Sequence, residues 1–454
     1  MKNQYRFIAR IIIETKTPLN IGSGNKGIKT DSLVLRDING LPFIPGTTIA
    51  GLLRHTLGKD EDKYMGSQQM GSPLIITEAK MLDCDCTVLD GIIPQEKLNS
   101  DFLANFIQLP IRQHAKIGHR GATVKGGKFD EEVVLKGTRF CFEMEMLSDN
   151  KDDAKFKELL NTLNSDTFRI GSGSRSGFGE IEVVGSQCQY KLIDLTDKDQ
   201  KEWYLKKSSS LSEEWTDVEP PFELKRTPLM GWTTYNMQLK PVDFILFGSG
   251  FGNDKADMTF VRESFVDWSK APAKVIDREH VVLIPASSVK GALSHRLAFH
   301  YNKLKGVFAD TLVEAEKIED HVGKNNEAVK AVFGSEGEKD ADGKMQNKLR
   351  GNVLISDIIQ EASISPKILN HVSIDRFTGG AIDGALFNEE TLYAKGLSFE
   401  LKLLVNKSAF EGKDDVKTAF ENTLKDLCSG MLPLGGGVNR GNGCFEGTIK
   451  ITEN

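Results

Sequence analysis

The feature that most constrains this 454-residue chain is that it repeats itself once, in order, from end to end. Gly22-Ser23-Gly24 is followed by Asp31 and Arg36, and Gly248-Ser249-Gly250 by Asp257 and Arg262. In both copies the Asp lies seven residues after the last Gly, and the Arg five after the Asp. Phe43-Ile44-Pro45-Gly46-Thr47-Thr48, running on to His55, pairs with Leu283-Ile284-Pro285-Ala286-Ser287-Ser288, running on to His295. Tyr64-Met65-Gly66-Ser67 pairs with Val332-Phe333-Gly334-Ser335, and the run from Leu74 with the run from Val353. His114 and His371 open segments ending at Phe140 and Phe399, each with a Phe-Asp/Asn-Glu-Glu and then a Lys-Gly. Glycine-rich turns, Ile170 to Gly179 and Leu434 to Gly443, end both copies. So many matches in one order mean two domains of one fold. A length that allows about two or three domains therefore resolves into two: 1–195, a linker over 196–231, and 232–454. The linker holds Lys206-Lys207-Ser208-Ser209-Ser210 and Pro220-Pro221, which is turn and linker chemistry.

Each copy opens on an alternating, β-branched strand, Phe7 to Thr15 and Thr233 to Leu239. The Ile-Pro segment ends a strand and starts a helix, with Thr47 or Thr48, and Ser287 or Ser288, as expected N-caps. Ile49, Leu52, Leu53 and Thr56 share one face of the first helix, and Gly58 can end it. Further helices are expected over Asp152 to Leu163 and Thr418 to Leu427. Gly51 and Gly291 lie inside helices, where glycine is costly; close packing and close approach of a phosphate both account for them. The pattern is α+β: two tandem ferredoxin-like (βαββαβ) domains, an antiparallel sheet with helices on one side of each. Gly306 to Arg350 is a charged, partly helical insertion.

Composition removes other classes. With 39% hydrophobic and 27% charged residues, the chain is not disordered, collagen-like or a disulfide scaffold. No apolar run approaches the roughly 20 residues of a spanning helix, and Met1 to Arg6 leads into a strand without a signal-peptide core; a cytoplasmic location is expected. A net charge of −6 argues against a nucleic-acid binder working through bulk charge, but not against a local basic groove. Cys84 and Cys86 stand too close for a usual zinc pair and have no second pair, so reduced thiols are expected. The glycine-rich turns neither open a helix nor end in Gly-Lys-Ser/Thr, which excludes dinucleotide and ATP motifs.

Taken together, the Gly-rich loop with its Asp, the Ile-Pro-Gly-Thr-Thr helix start, the Phe-Gly-Ser, the Arg-bearing glycine turn and Ile374-Asp375-Arg376-Phe377-Thr378-Gly379-Gly380-Ala381 resemble the CRISPR-associated RAMP superfamily. Within it the chain looks like a tandem fusion of two backbone subunits of type III effector complexes. The resemblance implies an RRM-like palm with a β-hairpin thumb in each domain, here His114 to Phe140 and His371 to Phe399. It implies CRISPR RNA, target RNA and other effector subunits as partners, with no membrane, and cleavage of the paired target. Asp31 matches the position of the family's target-cleaving Asp and Asp257 repeats it, so both are candidate catalysts and candidate ligands of a divalent ion, Mg or Mn. An Asp beside Gly and Ser also caps turns, and a duplicated copy can keep binding after losing chemistry.

For RNA contact, Thr47, Thr48, Ser287 and Ser288 stand at helix N-termini that favour phosphate. Lys290 matches a basic position of the family; the first copy has Ala50 there, leaving the contact to Arg54, while Ser294 stands opposite Arg54 with Arg296 nearby. Arg175 and Arg440 can reach phosphates, and Gly22, Gly24, Gly177 and Gly441 allow close approach of the backbone. Two other readings stay open: a guide-binding scaffold without cleavage, and a single-site ribonuclease that processes the CRISPR transcript through a His general base. His55 and His295, matched near the helix end, fit packing or a partner for the helix C-terminal dipole before a general base.

Overall fold

Tyr5–Thr15 (β1) buries Phe7, Ala9, Ile11 and Ile13 in one apolar cluster with Phe140, Phe142 and Met144 of Arg139–Ser148 and with Phe156, Leu159, Leu160 and Leu163 of a helix. Around this strand the first unit is built, in a computed structural model that describes residues 3–27, 30–152, 154–216, 218, 224–225, 227, 229–312, 315–335, 337–339 and 345–453. After β1 come α1 (Gly46–Leu57), β2 (Leu74–Ile76), a hairpin of β3 (Ile111–Ile117) and β4 (Thr123–Glu132), then β5 (Arg139–Ser148), α2 (Ala154–Leu163) and β6 (Ile181–Val183). The sheet order is β2-β5-β1-β6, with every pair antiparallel.

The second unit repeats this with β7 (Trp232–Pro241), α3 (Ala286–Leu304), β8 (Val353–Ile355), the hairpin β9 (Pro366–His371) and β10 (Phe387–Tyr393), β11 (Phe399–Asn406), α4 (Asp414–Cys428) and β12 (Phe445–Glu453). Its sheet order is β8-β11-β7-β12. With the hairpins set aside, both units are βαββαβ with the outer strands in ferredoxin-like order, as the duplication predicts. The hairpins are shorter than expected. Phe140 and Phe399 belong to the palm strands β5 and β11 and are fully buried.

Three details differ from the sequence reading. Pro45 and Pro285 are the N-caps of α1 and α3, with no side-chain cap, so Thr47, Thr48, Ser287 and Ser288 lie inside the first turns. Proline already has the extended φ that a cap needs. The second difference is that helices do not keep to one side of the first sheet. The outward residues Ile8, Arg10 and Ile12 are also buried, and Ile8 packs with Ile193, Trp203 and Trp215. An apolar outer face needs its own cover, and the stretch after 195 supplies it. Lys198–Lys206 is a helix, and Trp215 lies 4.7 Å from the Arg10 guanidinium carbon. Within the expected linker, Pro220 and Pro221 lie outside the described residues. The third concerns the unit boundary: Val266 and Ala273 join the first unit's core, and Trp268 Nε1 donates to the Gly137 carbonyl at 2.6 Å.

The two units meet through a buried ionic junction. Arg112, at the base of the first hairpin and 3% exposed, donates from Nε and Nη2 to Glu263 at 2.7 and 2.5 Å and from Nη1 to Asp357. Asp357 Oδ1 in turn accepts the Ala286 N–H, at the start of α3, at 2.7 Å. Lys402 reaches back to Asp166 at 2.5 Å, and Lys136 Nζ donates to the Ile359 carbonyl at 2.8 Å.

Candidate nucleic-acid interface

Asp31 and Asp257 occupy one position of the fold. Each sits on a loop pinned to the second strand of its own hairpin. Asp31 N–H donates to the Asp130 carbonyl at 3.0 Å, and Asp31 Oδ2 accepts the Asp130 N–H at 3.3 Å. In the second unit Asp257 N–H donates to Asn388 Oδ1 at 2.8 Å, and Asp257 Oδ2 accepts the Asn388 N–H at 2.9 Å. Ser32 bridges to Glu131 as Met258 does to Glu389, both in parallel sense. Asp31 is half exposed, with Lys26 Nζ 3.6 Å away.

Next to the hairpin residue that pins each Asp stands a second matched group, noted in the sequence only as a repeat. His114 stacks on Phe129 with centroids 4.7 Å apart, and His371 on Phe387 at 4.9 Å. Their Nε2 atoms lie 2.8 Å from Glu131 and 3.2 Å from Glu389. Arg36 and Arg262 approach Glu132 and Glu390 at 3.6 and 3.0 Å. Phe129 and Phe387 keep 47% and 38% of their surface exposed, which offers a nucleobase a ring to stack on. The Phe-x-Glu-Glu motif carried this signal; its partner histidine is distant in sequence, and pairing across the hairpin joins them.

The glycine turns align one residue differently from the expected arginine pair. Gly171 and Gly435 each face a carbonyl of the loop before them, from Asn20 and Leu246, and Gly179 and Gly443 face Ile170 and Leu434. By that frame Arg175 matches Asn439, and Arg440 matches Ser176. Arg440 Nη2 is held by the fully buried Glu389 at 2.5 Å and lies over Phe387. Arg175 differs. Burial, then the nearby charges of Arg350 and Arg169, push its guanidinium down to about 10, and its Nε is buried without a hydrogen-bond partner among the described residues. Like charges gathered this way favour an anion between them. We expect Arg175→Gln to raise the melting temperature of the RNA-free protein while weakening RNA retention. A variant that lost stability without RNA would show that Arg175 serves the fold instead.

Other expected contacts divide. Gly177 is buried, and a Cβ there would strike Asp357 Oδ1 and lie 2.8 Å from the Ala286 Cβ. It packs at the junction between units, wedged on a carboxylate. Gly24 and Gly441 are exposed, with nothing within 4 Å of their Cβ places among the described residues. Gly22 bridges Val34 at the surface. Gly51 and Gly291 also have nothing within 4 Å of their Cβ places among the described residues, which removes the close-packing account of them. Arg54 is paired with Asp62 at 2.7 Å. Lys290 lies in the second turn of α3, half buried. His55 lies 3.2 Å from Arg350, and His295 3.2 Å from the Ile117 carbonyl.

The Asp residues suit a hard divalent ion that keeps most of its water and shares phosphate ligands, but not an all-protein cage. No group of three or more His, Cys, Asp or Glu assembles one among the described residues. In the first unit Asp130 adds a second carboxylate whose Oδ1 is buried without a hydrogen-bond partner among the described residues; Asn388 stands there in the second.

The family model of the RAMP superfamily matches residues 12–182 and 269–446, one stretch in each unit. The chain belongs to the RAMP superfamily. It is similar to the CRISPR system Cms endoribonuclease Csm3 of Methanocaldococcus jannaschii, with 28% identity over 192 residues, covering 38% of this chain and 75% of that protein. Among solved structures, a cryo-EM structure of the Type III-B Cmr-beta bound to cognate target RNA aligns at 15% identity and a TM-score of 0.30, over 42% of this chain and 61% of that one. As a RAMP protein the chain carries two palms and two hairpins in one polypeptide. No helix among its described residues is long and apolar enough to cross a membrane.

Proposed function

We propose that this RAMP protein is a backbone subunit of a type III CRISPR effector, which holds a guide RNA along both units and cuts the paired target beside Asp31 and beside Asp257. The observation that carries this reading is that one arrangement stands twice: an exposed carboxylate pinned to the hairpin residue that follows a stacked Phe. The relative named an endoribonuclease supports RNA cleavage. Arg175, with Arg169 and Arg350 near it, supplies local positive charge in an acidic chain.

In the proposed reaction a target 2′-hydroxyl attacks its own phosphorus. The P–O5′ bond breaks, leaving a 2′,3′-cyclic phosphate, and the departing oxygen takes a proton to become a 5′-hydroxyl. Asp31 or Asp257 orients the hydroxyl and accepts its proton, and the exposed Phe holds the displaced base so that attack is in line. Asp31, with Asp130 beside it, and Asp257 would hold Mg or Mn, which would neutralise phosphate charge.

The test is a cleavage ladder on a complementary target. Asp31→Ala should erase one cut by about a hundredfold or more and leave the other; Asp257→Ala should do the reverse, and both should keep the guide. Full ladders from both variants would leave a guide-binding scaffold. That second reading has its best support in the second unit, where Asp257 and Asn388 satisfy each other's backbone as a turn cap.

A further inference from the structure

The loops that carry Asp31 and Asp257 match bond for bond. Ser23 N–H donates to the Leu33 carbonyl and Ser249 N–H to the Thr259 carbonyl, both at 2.8 Å. Gly27 N–H donates to the Thr30 carbonyl and Asn253 N–H to the Ala256 carbonyl, again at 2.8 Å. This frame sets Lys26 opposite Gly252. Lys26 Nζ stands 3.6 Å from Asp31 Oδ1, on a side chain 78% exposed. At Gly252 a Cβ would lie 2.7 Å from the carbonyl oxygens of both Ala256 and Asp257. The second loop closes too tightly there to carry a side chain.

The second site has no replacement for this lysine among the described residues. Asp257 has no ion pair among them, and its Oδ2 accepts the Asn388 N–H. Arg262 is taken by Glu279 and Glu390, and Arg440 by the fully buried Glu389. The difference has chemical meaning. When a 2′-hydroxyl attacks phosphorus, negative charge builds on the non-bridging oxygens, and a positive group placed at that charge lowers the barrier. At 3.6 Å Lys26 makes an ion pair with Asp31 but no hydrogen bond. An exposed pair of this kind is weak, so the ammonium can turn to an arriving phosphate.

We propose that Lys26 is a further catalytic residue of the first site only: its ammonium turns from Asp31 to a non-bridging oxygen of the scissile phosphate and offsets the charge that builds there. The bonds are those of the proposed reaction. O2′–P forms, P–O5′ breaks, Asp31 takes the 2′ proton, the departing oxygen takes one from water, and Lys26 keeps its own. The first cut then has a cation built into the chain, while the second relies on a divalent ion alone.

This inference rests on the proposed cleavage function, and two readouts keep them apart. The full chain in its guide-loaded assembly is compared with Lys26→Met and Lys26→Arg. The side chain is mostly exposed, so folding should change little. On a complementary target, Lys26→Met should slow the Asp31-dependent cut at least tenfold and leave the Asp257-dependent cut as it is. Lys26→Arg should restore most of the rate. As magnesium is lowered with a chelator, the wild type should lose the Asp257-dependent cut first, whereas Lys26→Met should lose both together. The second readout needs no cleavage. On a target with 2′-deoxy nucleotides at both cut positions, the plot of log affinity against log salt should be shallower by about 0.7–0.9 for Lys26→Met, the loss of one phosphate contact. An unchanged Asp31-dependent cut, equal magnesium dependence of the two wild-type cuts, or an unchanged salt slope overturns the proposal. A wild type that makes neither cut overturns the cleavage reading, and the salt slope then still decides the phosphate contact.

Discussion

Arg112→Ala should be among the most destabilising single changes in the chain, at about 3–5 kcal/mol. It leaves Glu263 and Asp357, both nearly inaccessible, without the guanidinium that faces them. In a protein with units of this size that corresponds to a fall of roughly 10 °C in melting temperature. The loss should appear first as separation of the units, because the pair joins a hairpin base in one to a helix start in the other. Differential scanning calorimetry of the variant should show two transitions where the wild type shows one. The triple variant Arg112→Met/Glu263→Gln/Asp357→Asn should recover much of the loss, since the cost comes from unpaired buried charge and not from the absence of an ion pair. A single variant within 1 kcal/mol of wild type would mean that water reaches the junction.

Gly177→Ala and Gly441→Ala form the second expected contrast. Both glycines have positive φ, +118° and +96°, in matched turns. At Gly177 a methyl group would collide with Asp357 and with Ala286. It would displace the carboxylate that holds both Arg112 and the first N–H of α3, and we expect a cost of about 3 kcal/mol or more. At Gly441 the space is open, and only the backbone preference resists, at about 1–2 kcal/mol. Chemical denaturation should separate the two variants. RNA retention should separate them in the other direction. Gly441→Ala, still folded, should lose guide affinity through steric hindrance at an exposed turn, whereas Gly177→Ala should lose it only as far as it unfolds. Equal stabilities would mean that the junction can move aside for a methyl group.

The duplication made both palms legible before any coordinates. The order of matched motifs gives βαββαβ twice, and Phe156, Leu159, Leu160 and Leu163 fall on one buried helical face as their spacing requires. The positions of Asp31 and Asp257 were legible for the same reason: a fixed distance from a glycine loop survives duplication, and in the structure both meet the same hairpin residue. Local sequence failed where a property depends on what lies across from a residue. Gly177 and Gly441 read alike, yet one is wedged against Asp357 and the other is bare. Arg175 and Arg440 read as a pair, but one is crowded by like charge and the other is held by a buried glutamate. The covered outer face of the first sheet, the His–Phe stacks and the Arg112 junction all join residues far apart in the chain. Sequence fixes which side chains are present and their local periodicity; contacts between distant segments arise only when the chain packs, and they decide which copy of a motif is buried, paired or open to RNA.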